Sequence, residues 1–169
     1  LSLLVFGCGG PTIDKDSGEY KYITEIEIDF IPVVNYKGDP FNGIIVSYYK
    51  SGQLYSKETY KNGRFDGVSE EYYEHGQLKR RVPHKNGWYN GVLEEYYENG
   101  QLKRVATYNS MDLDGVSEEY YESGQLESSS TYKNGLKHGV WEFYSENGQR
   151  KSKMFYKDGK QVGDTKYSL

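Results

Sequence analysis

The chain has 169 residues, among them 20 Gly and 19 Tyr, and large aliphatic residues are sparse after Phe41. It is therefore too poor in aliphatic side chains for a thick core like that of a doubly wound fold. Its net charge of −4, with Lys and Arg spread along the chain beside Glu, argues against nucleic-acid binding, which needs a concentrated basic face. The single cysteine, Cys8, excludes an internal disulfide and a CxxC metal site.

The N-terminal segment is apolar and ends in Val5-Phe6-Gly7-Cys8. This run resembles the lipobox of bacterial lipoproteins, in which the cysteine after a small residue is lipidated and the preceding peptide is removed. The resemblance implies a signal-peptide remnant at residues 1–8, lipidation of Cys8 and a place in the cell envelope. The alternative is an apolar terminal strand with an incidental thiol, in a cytoplasmic protein. No stretch of the chain is long enough to span a bilayer as a helix.

Two segments separate this run from the regular part of the chain. Residues 9–18 are polar and rich in Gly, which is typical of a tether. Residues 19–36 alternate between apolar and polar side chains and predict one amphipathic strand. We interpret residues 19–42 as N-terminal capping strands, because a terminal repeat needs a different outer edge.

Residues 43–169 are an internal repeat with a period of 24 residues. Units begin near 43, 67, 91, 115 and 139, and a sixth begins near 163 and forms the last edge strand. The period is carried by a series of glycines: Gly43, Gly67, Gly91, Gly115, Gly139 and Gly163.

Each unit contains two turn motifs with a short strand-forming run between them. One is like Glu98-Asn99-Gly100-Gln101 and the other is like Lys61-Asn62-Gly63. Asn-Gly tolerates the positive φ that a two-residue type I′ hairpin turn needs, so we predict such a turn at both motifs. Each unit is then a β-hairpin. The predicted fold is all-β, an elongated single-sheet antiparallel meander.

The turns also predict which side chains face each other. An Asn99-Gly100 tip places Tyr97 opposite Leu102, Tyr96 opposite Lys103 and Glu95 opposite Arg104, and an Asn62-Gly63 tip places Tyr60 opposite Phe65. One face should therefore be packed and concave, and the other should be wet. The packed face carries Tyr97, Leu102, Ala106 and Tyr108, and the wet face carries Val68, Glu70, Tyr72, Lys79 and Arg81.

No constellation in the sequence indicates catalysis or a cofactor. Adjacent glutamates such as Glu70 and Glu71 point to opposite faces of a strand. Glu70, Glu94 and Glu118 share a face but lie about 10 Å apart, with nothing to enclose a substrate. The three histidines are far apart in the stack and have no cysteine partner, which excludes a metal site and a nucleophilic triad.

Repetition leaves one candidate functional surface on the wet face. A row of tyrosines there, flanked by glutamates, is suited to a partner protein or to the sugar rings of a polymer. The alternative is that the rings are only the core of a thin sheet and the glutamates form cross-strand charge pairs. The candidate residues are Tyr48, Tyr72, Tyr96, Tyr120, Tyr144, Glu70, Glu94 and Glu118.

The pattern G-V-x-E-x-Y-Y-x-x-G-Q-L…Y-K-N-G, over residues 36–169, resembles the variant MORN repeat. The resemblance implies meandering hairpins that serve as protein-interaction or lipid-associated modules. The family includes a YwqK-like group of bacterial antitoxins. The Trp that usually follows the repeat glycine by two places survives here only as Trp141.

We therefore expect a non-catalytic module that binds a protein, anchored to a membrane only through a lipid on Cys8. An antitoxin or immunity protein that neutralises a toxin is the alternative that follows the family. A polysaccharide-binding protein that uses the tyrosine row is a third.

Overall fold

The computed structural model of the chain describes residues 12–28 and 31–167, so Cys8 and the lipobox-like run lie outside the described residues. The regular secondary structure of the described residues is β-strand, apart from one 3-10 turn at Tyr20–Tyr22. Contacts within the chain divide it into two compact units, one ending at Trp88 and one beginning at Tyr89.

The first unit contains a hairpin sheet and a separate three-stranded sheet. Its strands are β1 (Thr12–Asp14), β2 (Ile23–Ile28), β3 (Ile31–Tyr36), β4 (Asp39–Pro40), β5 (Gly43–Tyr48), β6 (Leu54–Lys61), β7 (Arg64–Phe65), β8 (Gly67–Tyr72) and β9 (Leu78–Lys85). In the hairpin sheet the strand order is β1-β5-β6-β8-β9, with β7 paired to β6, and the small sheet has the order β2-β3-β4. All of these pairs are antiparallel except β1 with β5.

The second unit is a meander of seven strands, and a short strand, β10 (Trp88–Tyr89), lies where the chain passes from the first unit to the second. The seven strands are β11 (Gly91–Tyr96), β12 (Leu102–Asn109), β13 (Asp112–Tyr120), β14 (Leu126–Lys133), β15 (Leu136–Tyr144), β16 (Arg150–Lys157) and β17 (Lys160–Lys166). Each strand from β11 to β17 pairs antiparallel with the next. The predicted all-β fold of antiparallel hairpins is therefore confirmed within each unit.

The segment expected as a tether, residues 9–18, differs from the prediction. Within it, Thr12–Asp14 form β1, and Ile13 lies opposite Ile45 with only 3% of its surface exposed. The Lys15 backbone N–H donates to the Val46 carbonyl at 2.8 Å. Burial of one apolar side chain, that of Ile13, therefore stabilises a strand within a segment that is otherwise polar and rich in Gly.

The single amphipathic strand predicted for residues 19–36 is instead a hairpin. Ile23 of β2 lies opposite Tyr36 of β3 in an antiparallel register. The small sheet joins the hairpin sheet through backbone hydrogen bonds, from Val34 N–H to the Gly63 carbonyl at 2.7 Å and from Gly63 N–H to the Phe41 carbonyl at 2.8 Å. This arrangement buries the core of the first unit, which consists of Ile13, Val34, Phe41, Ile45 and Tyr60.

The Lys-Asn-Gly turns have the predicted type I′ geometry. Asn62 and Gly63 have φ of 51° and 75°, and Lys61 pairs with Arg64 across a two-residue loop. Positive φ at two successive residues recurs at the equivalent turns, at Asn86-Gly87, Ser110-Met111, Asn134-Gly135 and Asp158-Gly159.

The type I′ prediction is wrong for the Glu-Asn-Gly-Gln turns. Gly100 has a φ of 85°, whereas Asn99 is not among the residues with positive φ. The Gly100 N–H donates to the Tyr97 carbonyl at 3.0 Å, and the Tyr97 N–H donates to the Gln101 carbonyl at 2.9 Å. These bonds define a three-residue loop that ends in a left-handed glycine, the second commonest type of hairpin connection.

The longer loop changes the pairing next to it. Glu95 lies opposite Arg104 as predicted, but Leu102 lies opposite Tyr96 rather than Tyr97, because the register shifts between Glu95 and Tyr96. Tyr97 therefore lies outside the strand pairing, and its backbone closes the loop through the hydrogen bond to Gln101.

The packed face of the second unit has a core that is one side chain thick. Successive strands place its members opposite one another, and each is at most 9% exposed. They are Leu93, Ala106, Ser117, Ser130 and Trp141. Three of the five are Ala or Ser, which agrees with a sheet that has little aliphatic content to bury.

Candidate partner-binding face

The candidate tyrosines all lie on the wet face, but they are not a row of free rings. Tyr48 is 41% exposed, and the other four are half-buried. Tyr48 and Tyr72 belong to the first unit, at the ends of β5 and β8. Tyr96, Tyr120 and Tyr144 belong to the second, at the ends of β11, β13 and β15.

The glutamate two residues before the tyrosine accepts a hydrogen bond from its hydroxyl. Tyr72 donates to Glu70 at 3.0 Å, and Tyr120 donates to Glu118 at 2.7 Å. Residues two apart on a strand point to the same side, which brings the two groups together. Burial raises the pKa of Tyr120 to about 12, with the carboxylate of Glu118 adding to the effect.

Basic side chains balance the glutamates on the same face. Glu70 lies opposite Arg81 on the neighbouring strand, and the Arg81 Nε is 3.4 Å from the Glu70 carboxylate. In the second unit, Glu142 accepts contacts from Arg150 at 3.3 Å and from Lys153 at 3.4 Å. At Glu70 and Glu142 the glutamates of the wet face therefore form cross-strand charge pairs, as the alternative interpretation expects.

Glu94 occupies the corresponding place in β11. It lies opposite Val105, which in turn lies opposite Glu118 on β13. Glu94 and Tyr96 each also interact with another residue. The structure thus places the candidate residues of each unit on one face, and it ties them to neighbours.

The sequence analysis put Val68 on the wet face but did not recognise that exposed valines recur at this position. In the second unit the residue after each of the repeat glycines Gly91, Gly115 and Gly139 is a valine on this face, and these three valines, here called the valine row, are among the more exposed apolar side chains. They are Val92 (47% exposed), Val116 (47%) and Val140 (37%), and Val68 (41%) has the same position in a repeat of the first unit. The signal was present in the sequence as a Gly-Val pair every 24 residues.

The second tyrosine of each Tyr-Tyr pair has a structural role. The Tyr97 hydroxyl donates to the Tyr120 carbonyl at 2.8 Å, and the Tyr121 hydroxyl donates to the Tyr144 carbonyl at 2.9 Å. Tyr49 makes the same bond to Tyr72 at 2.7 Å in the first unit. Each bond reaches the end of the corresponding strand in the next repeat and stabilises the stacking of hairpins.

A small open groove lies near these turns in the second unit. Its volume is about 250 Å³. Charged side chains of both signs line it, and Arg104 lies opposite both Glu95 and Glu119 in the sheet. A groove with compensating charges and no enclosure does not indicate a particular substrate.

Among residues 12–28 and 31–167, no group of three or more His, Cys, Asp or Glu side chains is placed to hold a metal ion. In the same part of the chain, no helix is long and apolar enough to cross a membrane.

Hairpins of equal length that follow one another along the chain define a β-hairpin repeat protein. Its exposed apolar side chains lie on a face of the sheet and not in a pocket. A model of the MORN repeat variant matches residues 41–62, 65–86, 89–110, 113–134 and 137–158. These segments cover more than half of the chain, which therefore belongs to the MORN repeat variant family. No curated protein matches the chain significantly. Repeats of this family are non-enzymatic modules that bind proteins or membrane lipids.

Proposed function

We propose that this chain is a non-catalytic module whose wet face binds a partner protein. The observation that carries the proposal is the valine row, which is exposed at the same position of three successive repeats of the second unit. The fold does not need these valines to be apolar, because the buried residues of the second unit lie on the opposite face.

The composition of the wet face matches that of a protein interface. Interfaces have an apolar and aromatic centre with a polar, solvated rim. In the second unit the valine row lies beside the Tyr–Glu pairs, so apolar, aromatic and charged groups occur on one face. Tyr96, Tyr120 and Tyr144 would add rigid contact area, since tyrosine is enriched among residues that dominate binding energy.

The charge of the chain favours a protein over a lipid surface. Adsorption to an anionic membrane depends on clustered Lys and Arg. This chain has a net charge of −4, and the basic groups Arg81 and Arg150 of its wet face are paired with glutamates. A partner with an apolar patch and its own charged rim is the better complement.

The test compares two sets of valine substitutions in the otherwise complete chain. Val92→Glu with Val116→Glu places charges in the valine row. Val162→Glu is the matched control, because Val162 is even more exposed, at 66%, and lies in β17 outside the row. Each variant is used as bait in a host lysate, bound proteins are quantified by mass spectrometry, and binding of the main partner is remeasured with purified proteins.

We expect the control to retain the partner and the double variant to lose at least about tenfold in affinity, as expected when charge enters an apolar interface. Thermal unfolding must be unchanged in both variants. A partner that binds the double variant as well as the wild-type chain contradicts the proposal. Co-sedimentation with anionic vesicles that disappears in the double variant only would favour a lipid instead.

We also propose a lipid anchor at Cys8, supported by the apolar run that precedes Gly7-Cys8. Such an anchor would put the module in the cell envelope, where an immunity protein against a secreted toxin would act. A cytoplasmic antitoxin would need no anchor. Binding of a cell-wall polysaccharide would need free rings, and the half-buried, glutamate-bound tyrosines do not favour it.

A further inference from the structure

An aromatic cluster lies on the packed face of the second unit, where β14, β15 and β16 run side by side. The Trp141 ring centroid is 5.1 Å from that of Tyr132 and 5.2 Å from that of Tyr156. The cluster is specific to this repeat, because the position of the tryptophan holds an aliphatic residue or a serine in the others. Those residues are Ile45, Ser69, Leu93 and Ser117.

A cation of the chain itself already lies on this cluster. The Lys137 Nζ is 4.3 Å from the Trp141 ring centroid and 5.1 Å from that of Tyr156. Lys137 lies opposite Tyr132 in the sheet, so its backbone is next to the cluster. Both distances are within the range of a cation–π interaction, for which tryptophan is the best acceptor.

The tryptophan ring is held in place without help from Lys137. Its indole N–H donates to the Thr131 carbonyl at 3.1 Å, and a tyrosine packs on either side. Because the indole N–H is already used, the ring has only its π face left to offer. That face attracts cations and gives nothing to a hydrogen-bond acceptor.

Lys137 itself is held weakly. Its side chain is exposed, and a cation–π contact is weaker at an exposed site than at a desolvated one. Lysine also loses rotamer freedom when its ammonium is fixed in one place. A cation that interacts more strongly with the ring can therefore displace it at small cost.

We propose that the cluster of Tyr132, Trp141 and Tyr156 is a binding site for an arginine side chain of a peptide ligand, and that Lys137 is its intramolecular occupant. Arginine fits better than lysine because its planar guanidinium stacks on an aromatic face and is less strongly hydrated. The net charge of −4 also attracts a basic peptide. The site is on the face opposite the valine row and does not depend on the function proposed for that row.

The test uses a pair of tripeptides that differ only in charge. One is acetyl-Gly-Arg-Gly-amide, and the other carries citrulline, the neutral isostere of arginine. Each is titrated into the full chain bearing Trp88→Phe, which leaves Trp141 as the only tryptophan. Trp141 fluorescence and its indole N–H resonance report binding, and the same titrations are repeated with Lys137→Met and, as a second variant, Lys137→Gln.

A single cation–π contact predicts weak binding, with a Kd of roughly 30 mM or higher for the arginine peptide. We expect the citrulline peptide to bind at least about fivefold more weakly, and loss of the Lys137 charge to tighten arginine binding about 2- to 5-fold. Trp141→Leu, followed by backbone amide shifts, should abolish binding, and leucine is tolerated at the equivalent position 93. Equal binding of the two peptides overturns the proposal, and so does an affinity that both Lys137 variants leave unchanged.

Discussion

At the scale of single residues, the informative positions are those where one repeat departs from the others. Position 84 holds a histidine where the equivalent residues 60, 108, 132 and 156 are tyrosines. The His84 ring stacks on Phe65 with centroids 4.9 Å apart, and burial lowers its pKa below the ordinary value of 6.5. The sheet thus accepts an imidazole in a ring-sized site, mainly in its neutral form.

His84 should make the stability of the first unit depend on pH. Its pKa is lower in the folded than in the unfolded chain, so the unfolded state binds more protons as the pH falls below about 6.5. The contribution is complete above that pH and is lost as the pH falls towards the folded pKa. We expect His84→Tyr, which restores the repeat residue, to reduce the loss of urea midpoint between pH 7.5 and 5.5.

The matched control is His75→Gln, which removes an exposed histidine from a turn. Titration of the His84 imidazole by NMR measures the pKa directly. A folded pKa at or above 6.5, or a pH profile that His84→Tyr leaves unchanged, would show that burial does not govern this residue.

At the scale of the elements, the two turns of each repeat differ in what surrounds them. The Lys-Asn-Gly turn at Gly63 is a contact point, because the backbone of β3 is hydrogen-bonded to it. The Glu-His-Gly-Gln turn at Gly76 has a positive φ of 92° but open space around it. A Cβ added at Gly63 would instead approach the Val34 carbonyl oxygen to 2.7 Å.

This difference predicts unequal costs for the same substitution. Gly76→Ala should destabilise by about 1–2 kcal/mol, the strain of one left-handed alanine. Gly63→Ala adds a clash with Val34 to a similar strain and should destabilise by about 2–4 kcal/mol. Chemical unfolding of the two variants beside the wild-type chain measures the difference. Equal losses would mean that the small sheet does not pack on the Gly63 turn.

At the scale of the whole molecule, the two units achieve burial differently. The first has a three-dimensional core, to which β1 and the small sheet add Ile13, Val34 and Phe41. The second buries a single row that includes Ala106 and Ser130, and its repeats are tied by hydroxyl-to-carbonyl bonds such as that from Tyr97 to Tyr120. Its stability should therefore come from contacts between neighbouring repeats, as in other repeat proteins.

Removal of one whole repeat from the second unit should leave a folded protein. Deletion of residues 115–138 joins Asp114 to Gly139 in the same phase, so that Trp141 faces Ala106 in place of Ser130. We expect a soluble chain with a cooperative but lower melting temperature and a β-sheet circular dichroism spectrum. Deletion of residues 115–126 is the control, since half a repeat joins two strands that must run in opposite directions, and it should be insoluble. If the two deletion variants were equally soluble and equally folded, the second unit would not be a stack of interchangeable hairpins.

The sequence by itself determined the period of 24, the hairpins and the faces of side chains within the strands, away from the register shifts beside the longer loops. These depend on local chemistry, because an Asn-Gly pair favours a tight turn and alternation along a strand assigns its residues to the two faces. The same reasoning failed for the turn type at Gly100, where the same dipeptide lies in a longer loop that is closed by the hydrogen bond from the Tyr97 N–H to the Gln101 carbonyl.

Only the tertiary structure decided which side chains are bound and which are free. The glutamate-bound tyrosines were predicted as a ladder, whereas the exposed valines were not recognised, since exposure depends on strands that lie elsewhere in the chain. The burial of Ile13 beside Ile45 and the position of Lys137 over Trp141 have the same origin. Such contacts join residues whose environment is complete only when the sheet has formed, and no local pattern records them.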